Sequence, residues 1–132
     1  AYAGLAEYYG FGAANGFLPP SGENWSKSAQ AANKALELDE MLPDGYNARA
    51  GVKEFNGNRA SAEQDLRRAI ELNPKYAEGY THYAHFLTNS ERFEEAVAQM
   101  KKALELEPFN VLFNWRFGWI FYRAREYDRA IE

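Results

Sequence analysis

Two sets of side chains in this sequence have the types and spacing to do chemistry. Glu78, His82 and His85 stand at i, i+4 and i+7, so a helix would bring a carboxylate and two imidazoles onto one face. That is a donor set able to hold a transition-metal ion. It stops at three, with no fourth ligand in register, and a metal site needs its ligand count and its outer support. The expectation is therefore no metal, with both histidines as hydrogen-bonding groups. Leu112, Trp115, Trp119 and Tyr122 fall at i, i+3, i+7 and i+10, a single, mostly aromatic helical stripe. Aromatic side chains of this kind dominate protein-binding hot spots. The same stripe would serve as packing surface for a further repeat or for the chain's own tail, and the sequence leaves both roles open.

Other chemistries lack their residues. Cysteine is absent, which excludes disulfides and thiolate metal sites. Gly4, Gly10, Gly12 and Gly16 follow no strand and make no dinucleotide fingerprint. There is no nucleophile elbow, phosphate loop or paired acid with a plausible pocket, so neither an enzyme nor a cofactor is expected. The formal charge of −4 speaks against nucleic acid, which calls for a basic stripe to displace counterions. The longest apolar candidate, Val111 to Tyr122, is interrupted by Asn114 and Arg116 and falls short of the roughly 20 residues a membrane helix needs. No signal-peptide pattern opens the chain, and a cytoplasmic location without membrane contact is expected. The chain starts at Ala1 without an initiator Met and stops at Glu132 inside a helical pattern, so it reads as a piece of a longer protein.

The elements that position these residues come from a repeat. Ala35-Leu36-Glu37-Leu38 returns as Ala69-Ile70-Glu71-Leu72 and as Ala103-Leu104-Glu105-Leu106, on a constant step of about 34 residues. Ser28, Ala62, Ala96 and Ala130 keep the same step, as do Trp25, Arg59, Phe93 and Tyr127. A fixed period of this length marks stacked helical hairpins. It predicts an all-α solenoid of about three and a half units: 1–42 with an inserted loop, 43–76, 77–110 and a partial 111–132, together one domain. Seven helices are expected, the last incomplete, and no strand. Tyr80, Tyr83, Ala84 and Leu87 give the first helix of the third unit its apolar face, and Pro108 closes the second. Ala50, Ala69, Ala84 and Ala103 are expected at helix crossings, with Phe117 and Phe121 on the core side of the last helix. The interval from Ala6 to Ala35 is half as long again as that from Ala50 to Ala69. The excess falls in a Gly- and Pro-rich loop around Asn15 to Gly22, whose Phe17-Leu18-Pro19-Pro20 is expected to dock on the first unit's own helices or to fold over a groove. Arg49 points toward the packed side, where an unpaired charge is costly. It is expected either to pair with Glu63 or Asp65 or to reach solvent along its stem.

The pattern Tyr80-x2-Tyr83-Ala84-x2-Leu87, then Ala96-x3-Met100-x2-Ala103-x4-Pro108, resembles the tetratricopeptide repeat. Arg49 and Lys53 stand where that family has apolar residues, and Glu40 replaces its closing proline. The wording of the repeats is also similar to arrays attached to bacterial signalling and regulatory proteins.

The resemblance implies a non-catalytic scaffold whose first helices line a groove for a peptide or protein segment. The groove positions it implies are Asp44, Asn47, Gly51 and Glu54; then Glu78, Thr81, His82, His85 and Thr88; then Leu112, Trp115, Trp119 and Tyr122. One subclass grips a C-terminal carboxylate with Lys and Asn. Its slots hold Ala3, Glu7, Ala48, Glu78 and His82 here, which speaks against that specificity. Acidic Asp44, Glu54 and Glu78 beside the aromatic stripe suggest a basic, apolar partner. The alternative is a structural segment that forms a homo-oligomer through its ends.

Overall fold

The structure is a computed structural model that describes residues 1–14, 18–19 and 21–131. Among them are seven helices and no strand: α1 (Tyr2–Ala14), α2 (Gly22–Leu38), α3 (Pro43–Phe55), α4 (Arg59–Leu72), α5 (Ala77–Asn89), α6 (Phe93–Leu106) and α7 (Val111–Ile131). No helix of the described residues is long and apolar enough to cross a membrane. The helices fall into two compact units, Ala1–Asn73 and Pro74–Glu132.

In the first unit the excess length of the opening repeat is shared between the connection and α2. Ser21 caps α2 by accepting from the Asn24 N–H at 3.4 Å, and Glu23 meets Lys27 at 2.7 Å one turn on. Cap and ion pair add helix ahead of Trp25, the residue in register with the starts of α4 and α6. Leu18 is half-buried and Pro19 exposed, while Phe17 and Pro20 lie outside the described residues. The core is built on alanines: Ala6, Ala31, Ala32 and Ala48 form one cluster. The buried Ser28 hydroxyl donates to the Ala6 carbonyl at 2.8 Å. α3 approaches α2 so closely that a Cβ on Gly45 would stand 2.8 Å from Leu36. Trp25 stacks on Phe55, centroids 4.4 Å apart.

Ala50 and Ala69 are buried as expected, and Arg49 finds Asp65. Its Nε and Nη2 donate to both carboxylate oxygens at 2.8 and 2.7 Å, while Lys53 Nζ lies 2.7 Å from Oδ2. Burial by itself would raise the Asp65 carboxyl, but the hydrogen bonds and charges of Arg49 and Lys53 overcome it and hold the group below the usual carboxylate range.

In the second unit α5 packs on α6 through Tyr83, Ala84 and Leu87 against Ala96, Met100 and Ala103, all buried. The turns of the α3/α4 and α5/α6 hairpins are copies. Asn58 N–H donates to Lys53 C=O at 2.8 Å and Arg92 N–H to Leu87 C=O at 2.9 Å. This six-to-one closure needs a left-handed residue just before the donor. Gly57 supplies it at φ 79° and Glu91 at φ 60°. One period further stands Arg125, and there the chain does not turn: α7 continues for 21 residues. In the two preceding hairpins the chain turns at this point. The chain offers an arginine, a good helix former, and the helix runs on.

Another copied bond ties α3, α5 and α7 each to the segment before it. The Tyr46 hydroxyl donates to the Glu40 carbonyl at 3.1 Å and the Tyr80 hydroxyl to the Pro74 carbonyl at 2.8 Å. The Asn114 amide donates to the Pro108 carbonyl at 3.2 Å. Glu40 replaces the proline without loss because its carbonyl does the work. Asn114 replaces the tyrosine because its amide reaches the same acceptor.

Candidate binding face on α5 and α7

Helical spacing places Glu78, Thr81, His82, His85 and Thr88 along α5 and Leu112, Trp115, Trp119 and Tyr122 along α7. The structure brings several of these together within the second unit. His85 and Trp119 stack at 6.0 Å between centroids with 22° between their planes, and the Arg123 guanidinium lies 5.5 Å from the Trp119 ring centre, a cation–π contact. On either side along the stripe Trp115 is 65% and Tyr122 61% exposed. Trp119 itself is half-buried, held by its two neighbours while part of it remains open.

One turn earlier is a polar cluster. The Arg116 Nη1 donates to the Thr81 hydroxyl at 3.1 Å and stands 3.9 Å from a Glu78 carboxylate oxygen. The Thr81 hydroxyl in turn reaches the Glu78 carbonyl at 2.9 Å. Thr81 is buried; it holds Arg116 in place rather than meeting a partner itself. Thr88 is likewise buried and spends its hydroxyl on the Ala84 carbonyl at 2.8 Å. The cleft between Thr81, His85, Thr88, Met100, Arg116 and Trp119 measures about 20 Å³, room for roughly one water. The cleft is too small to take a side chain.

Among the described residues no group of three or more His, Cys, Asp or Glu is arranged to hold a metal ion. Glu78, the carboxylate of the sequence triad, faces Arg116. The positions on α3 belong to the other unit. Asp44, Gly51 and Glu54 are half-buried, with Glu54 4.0 Å from Arg59. Asn47 is 3% exposed, and its amide oxygen and nitrogen make no hydrogen bond with the described residues.

Two expectations are corrected. Phe117 and Phe121 do not fill the core side of α7: Phe117 is half-buried and Phe121 is 53% exposed, the rings meeting edge to face at 5.1 Å. Phe113 and Ile120 carry the core instead. Phe117 and Phe121 stand one period after Tyr83 and Leu87, the residues α6 covers, and among the described residues no helix follows α7 to cover them. The acidic character read at Glu78 is also reversed by its surroundings. Arg116 and Arg123 crowd the same face. Both are visible in the sequence as charges on α7, but counting acids on the first helices leaves them out.

Models of the tetratricopeptide repeat match residues 43–76 and 66–98, the two overlapping from the second half of α4. The chain is a tetratricopeptide-repeat protein. Over 97 residues it is 31% identical to the small glutamine-rich tetratricopeptide repeat-containing protein 2 of Mycosarcoma maydis, a match covering 74% of this chain and 28% of that protein. This tetratricopeptide-repeat chain thus spans little more than a quarter of that relative's length.

Solved structures repeat the fold. TTC0263 of Thermus thermophilus, a thermophilic TPR protein, superposes with a TM-score of 0.76 at 23% identity, over 92% of this chain and 62% of that one. The first TPR of Spaghetti (RPAP3), bound to the HSP90 peptide SRMEEVD, gives 0.66 at 22% identity, over 91% and 95%. At these identities the likeness is one of helical-hairpin architecture.

Proposed function

We propose that this chain is a non-catalytic protein-interaction module that holds a peptide or protein segment along the α5/α7 face. Trp119 is the centre of the contact. The observation that carries this is the half-open indole of Trp119, fixed by His85 and Arg123 and flanked by exposed Trp115 and Tyr122. A large ring already held in place gives up little conformational freedom on binding, and aromatic anchors at the middle of a patch carry most of an interface's energy. The similar fold of Spaghetti (RPAP3) holds an HSP90 peptide, which supports a peptide as the partner class.

The charges favour a particular chemistry. With Arg116 and Arg123 beside the indole, and Glu78 turned to Arg116, the partner presents an apolar or aromatic side chain with a carboxylate next to it. A basic partner, suggested by the acids of the first helices, would meet two guanidinium groups. His82 and His85 complete the face as polar contacts, while Glu54 and the buried Asn47 belong to α3 in the first unit.

The test is a panel of peptides with a central phenylalanine and acidic, neutral or basic flanks, titrated by calorimetry against the wild type, Trp119→Ala and Lys101→Ala. The acidic peptides bind best. Trp119→Ala loses about 2 kcal/mol, roughly 30-fold in affinity, and Lys101→Ala, on an exposed position of α6, binds within error of wild type. Equal binding by the two variants would remove Trp119 from the site. A preference for basic flanks would return the partner to the sequence-based expectation.

A further inference from the structure

Two part-buried arginines of this chain are held in opposite ways. Arg49 has its fork filled, donating through Nε and Nη2 to both oxygens of Asp65 at 2.8 and 2.7 Å. Arg116 has its fork open. A guanidinium carries five N–H donors, and among the described residues Arg116 makes one hydrogen bond, from Nη1 to the Thr81 hydroxyl at 3.1 Å. Its ionic partner, Glu78, stands at 3.9 Å, beyond hydrogen-bond reach. The Glu78 side chain is 40% exposed and that of Arg116 25%. An ion pair this loose and this wet contributes little. A carboxylate seated on both arms of a guanidinium makes two short, charge-assisted bonds instead.

We propose that Glu78 is an internal competitor for the partner's acid. In the free protein it holds the place beside Arg116 that a carboxylate of the partner takes on binding, and it swings toward solvent as that carboxylate seats on the open fork. This role rests on the binding face proposed above and gives that face its selectivity. A neutral ligand leaves Glu78 where it is, whereas an acidic one has to displace it. Only ligands whose acid reaches both arms of Arg116 recover more than the displacement costs.

Thr81 makes the exchange possible. Its buried hydroxyl donates to the Glu78 carbonyl at 2.9 Å and accepts from Arg116, so the guanidinium stays placed against the main chain of α5 when the Glu78 carboxylate leaves. That carboxylate lies 3.3 Å from the same hydroxyl, whose one proton goes to the shorter contact. Arg123 takes no part in the exchange, since its guanidinium lies over the Trp119 ring.

Calorimetry with two peptides tests this: a phenylalanine with two glutamates on each side, and the same peptide with glutamines in their place. Both are titrated into the wild type, Glu78→Gln, Arg116→Gln and the double variant. Glu78→Gln binds the glutamate peptide about fivefold more tightly than the wild type does and the glutamine peptide no differently. Most of that gain disappears in the Arg116→Gln background, where no fork is left to free. Glu78 also stands in the first turn of α5, where a carboxylate steadies the helix, so Glu78→Gln melts slightly earlier. Glu94→Gln, in the first turn of α6, loses a similar amount and binds both peptides like wild type. A glutamate peptide that binds the wild type, and binds Glu78→Gln no better, overturns the competitor role and leaves the binding face standing. An equal gain for both peptides overturns it too, since Glu78 would then only narrow the face. So does a full gain without Arg116, the mark of plain charge repulsion. If the glutamate peptide binds neither the wild type nor Glu78→Gln, the competitor role and the binding face fall together.

Discussion

The α3/α4 hairpin and the α5/α6 hairpin share helix lengths of 13 and 14 residues and the same closing turn, yet they are held by different chemistry. Where α5 presents Tyr83 and Leu87 to α6, α3 presents Arg49 and Lys53 to Asp65 on α4. The α4 position taken by Asp65 is Gln99 on α6. One hairpin buries rings and an aliphatic chain; the other buries a carboxylate under two cations. The alanines are common to both: Ala50 and Ala84, Ala62 and Ala96, and Ala69 and Ala103 are all buried. The backbone geometry therefore rests on the small residues that set the distance between helices, and the larger positions can be filled by any group that satisfies itself at that distance.

The largest expected effect tests the charged hairpin. Asp65 has a 7% exposed side chain. Asp65→Ala leaves Arg49 and Lys53 facing each other without an acceptor and costs about 3 kcal/mol, the lower end for breaking a buried pair because both cations keep some water. Urea unfolding reads this directly, and a loss below about 0.5 kcal/mol would make the network ornamental. Acid sharpens the result. The folded-state carboxyl is held below its ordinary value, so its contribution is complete above the usual carboxylate range and is lost as pH falls through the lowered folded value. Asp65→Ala lacks that part of the wild type's acid instability.

The next effect tests the shared alanines. Ala84→Leu forces extra volume into the α5/α6 crossing and destabilises by roughly 1–3 kcal/mol, and Ala50→Leu does the same in the charged hairpin. A wild-type melt for either would place that position outside the crossing.

The smallest effect concerns the turns. Gly57→Ala puts a Cβ at φ 79° and costs about 1 kcal/mol. Glu91→Gly relieves the same strain at φ 60° and gains about 0.5 kcal/mol, less than the full relief because glycine also loosens the unfolded chain. A loss of stability in Glu91→Gly would show that Glu91 holds the turn by something other than its backbone.

The alternation of chemistry explains what could be read from the sequence. Period and alanine spacing survive any choice of large residue, so the hairpins and their crossings were legible, whereas Arg49 was left between Glu63, Asp65 and solvent. So was the meeting of His85 with Trp119, because residues on adjacent first helices in register face each other. The buried side of the last helix was not. The turn that should divide it depends on one left-handed residue, and nothing in a periodic pattern says whether Arg125 turns or continues. Phe117 and Phe121 keep the repeat's spelling, but no described helix covers them, while Phe113 and Ile120 take the core. The charge around Trp119 was missed for a related reason. Arg116 and Arg123 come from α7, and only the fold sets them beside Glu78 and the indole.

The three tryptophans offer the most direct test of the binding face, since Trp115 and Trp119 lie on it while Trp25 stacks on Phe55 in the other unit. Their indole N–H resonances are followed by NMR as the best acidic peptide is added. With the peptide on this face, the Trp119 signal moves most, the Trp115 signal follows, and the Trp25 signal stays where it was. Movement of Trp25 with Trp115 and Trp119 unchanged would contradict that placement and put the partner on the first unit.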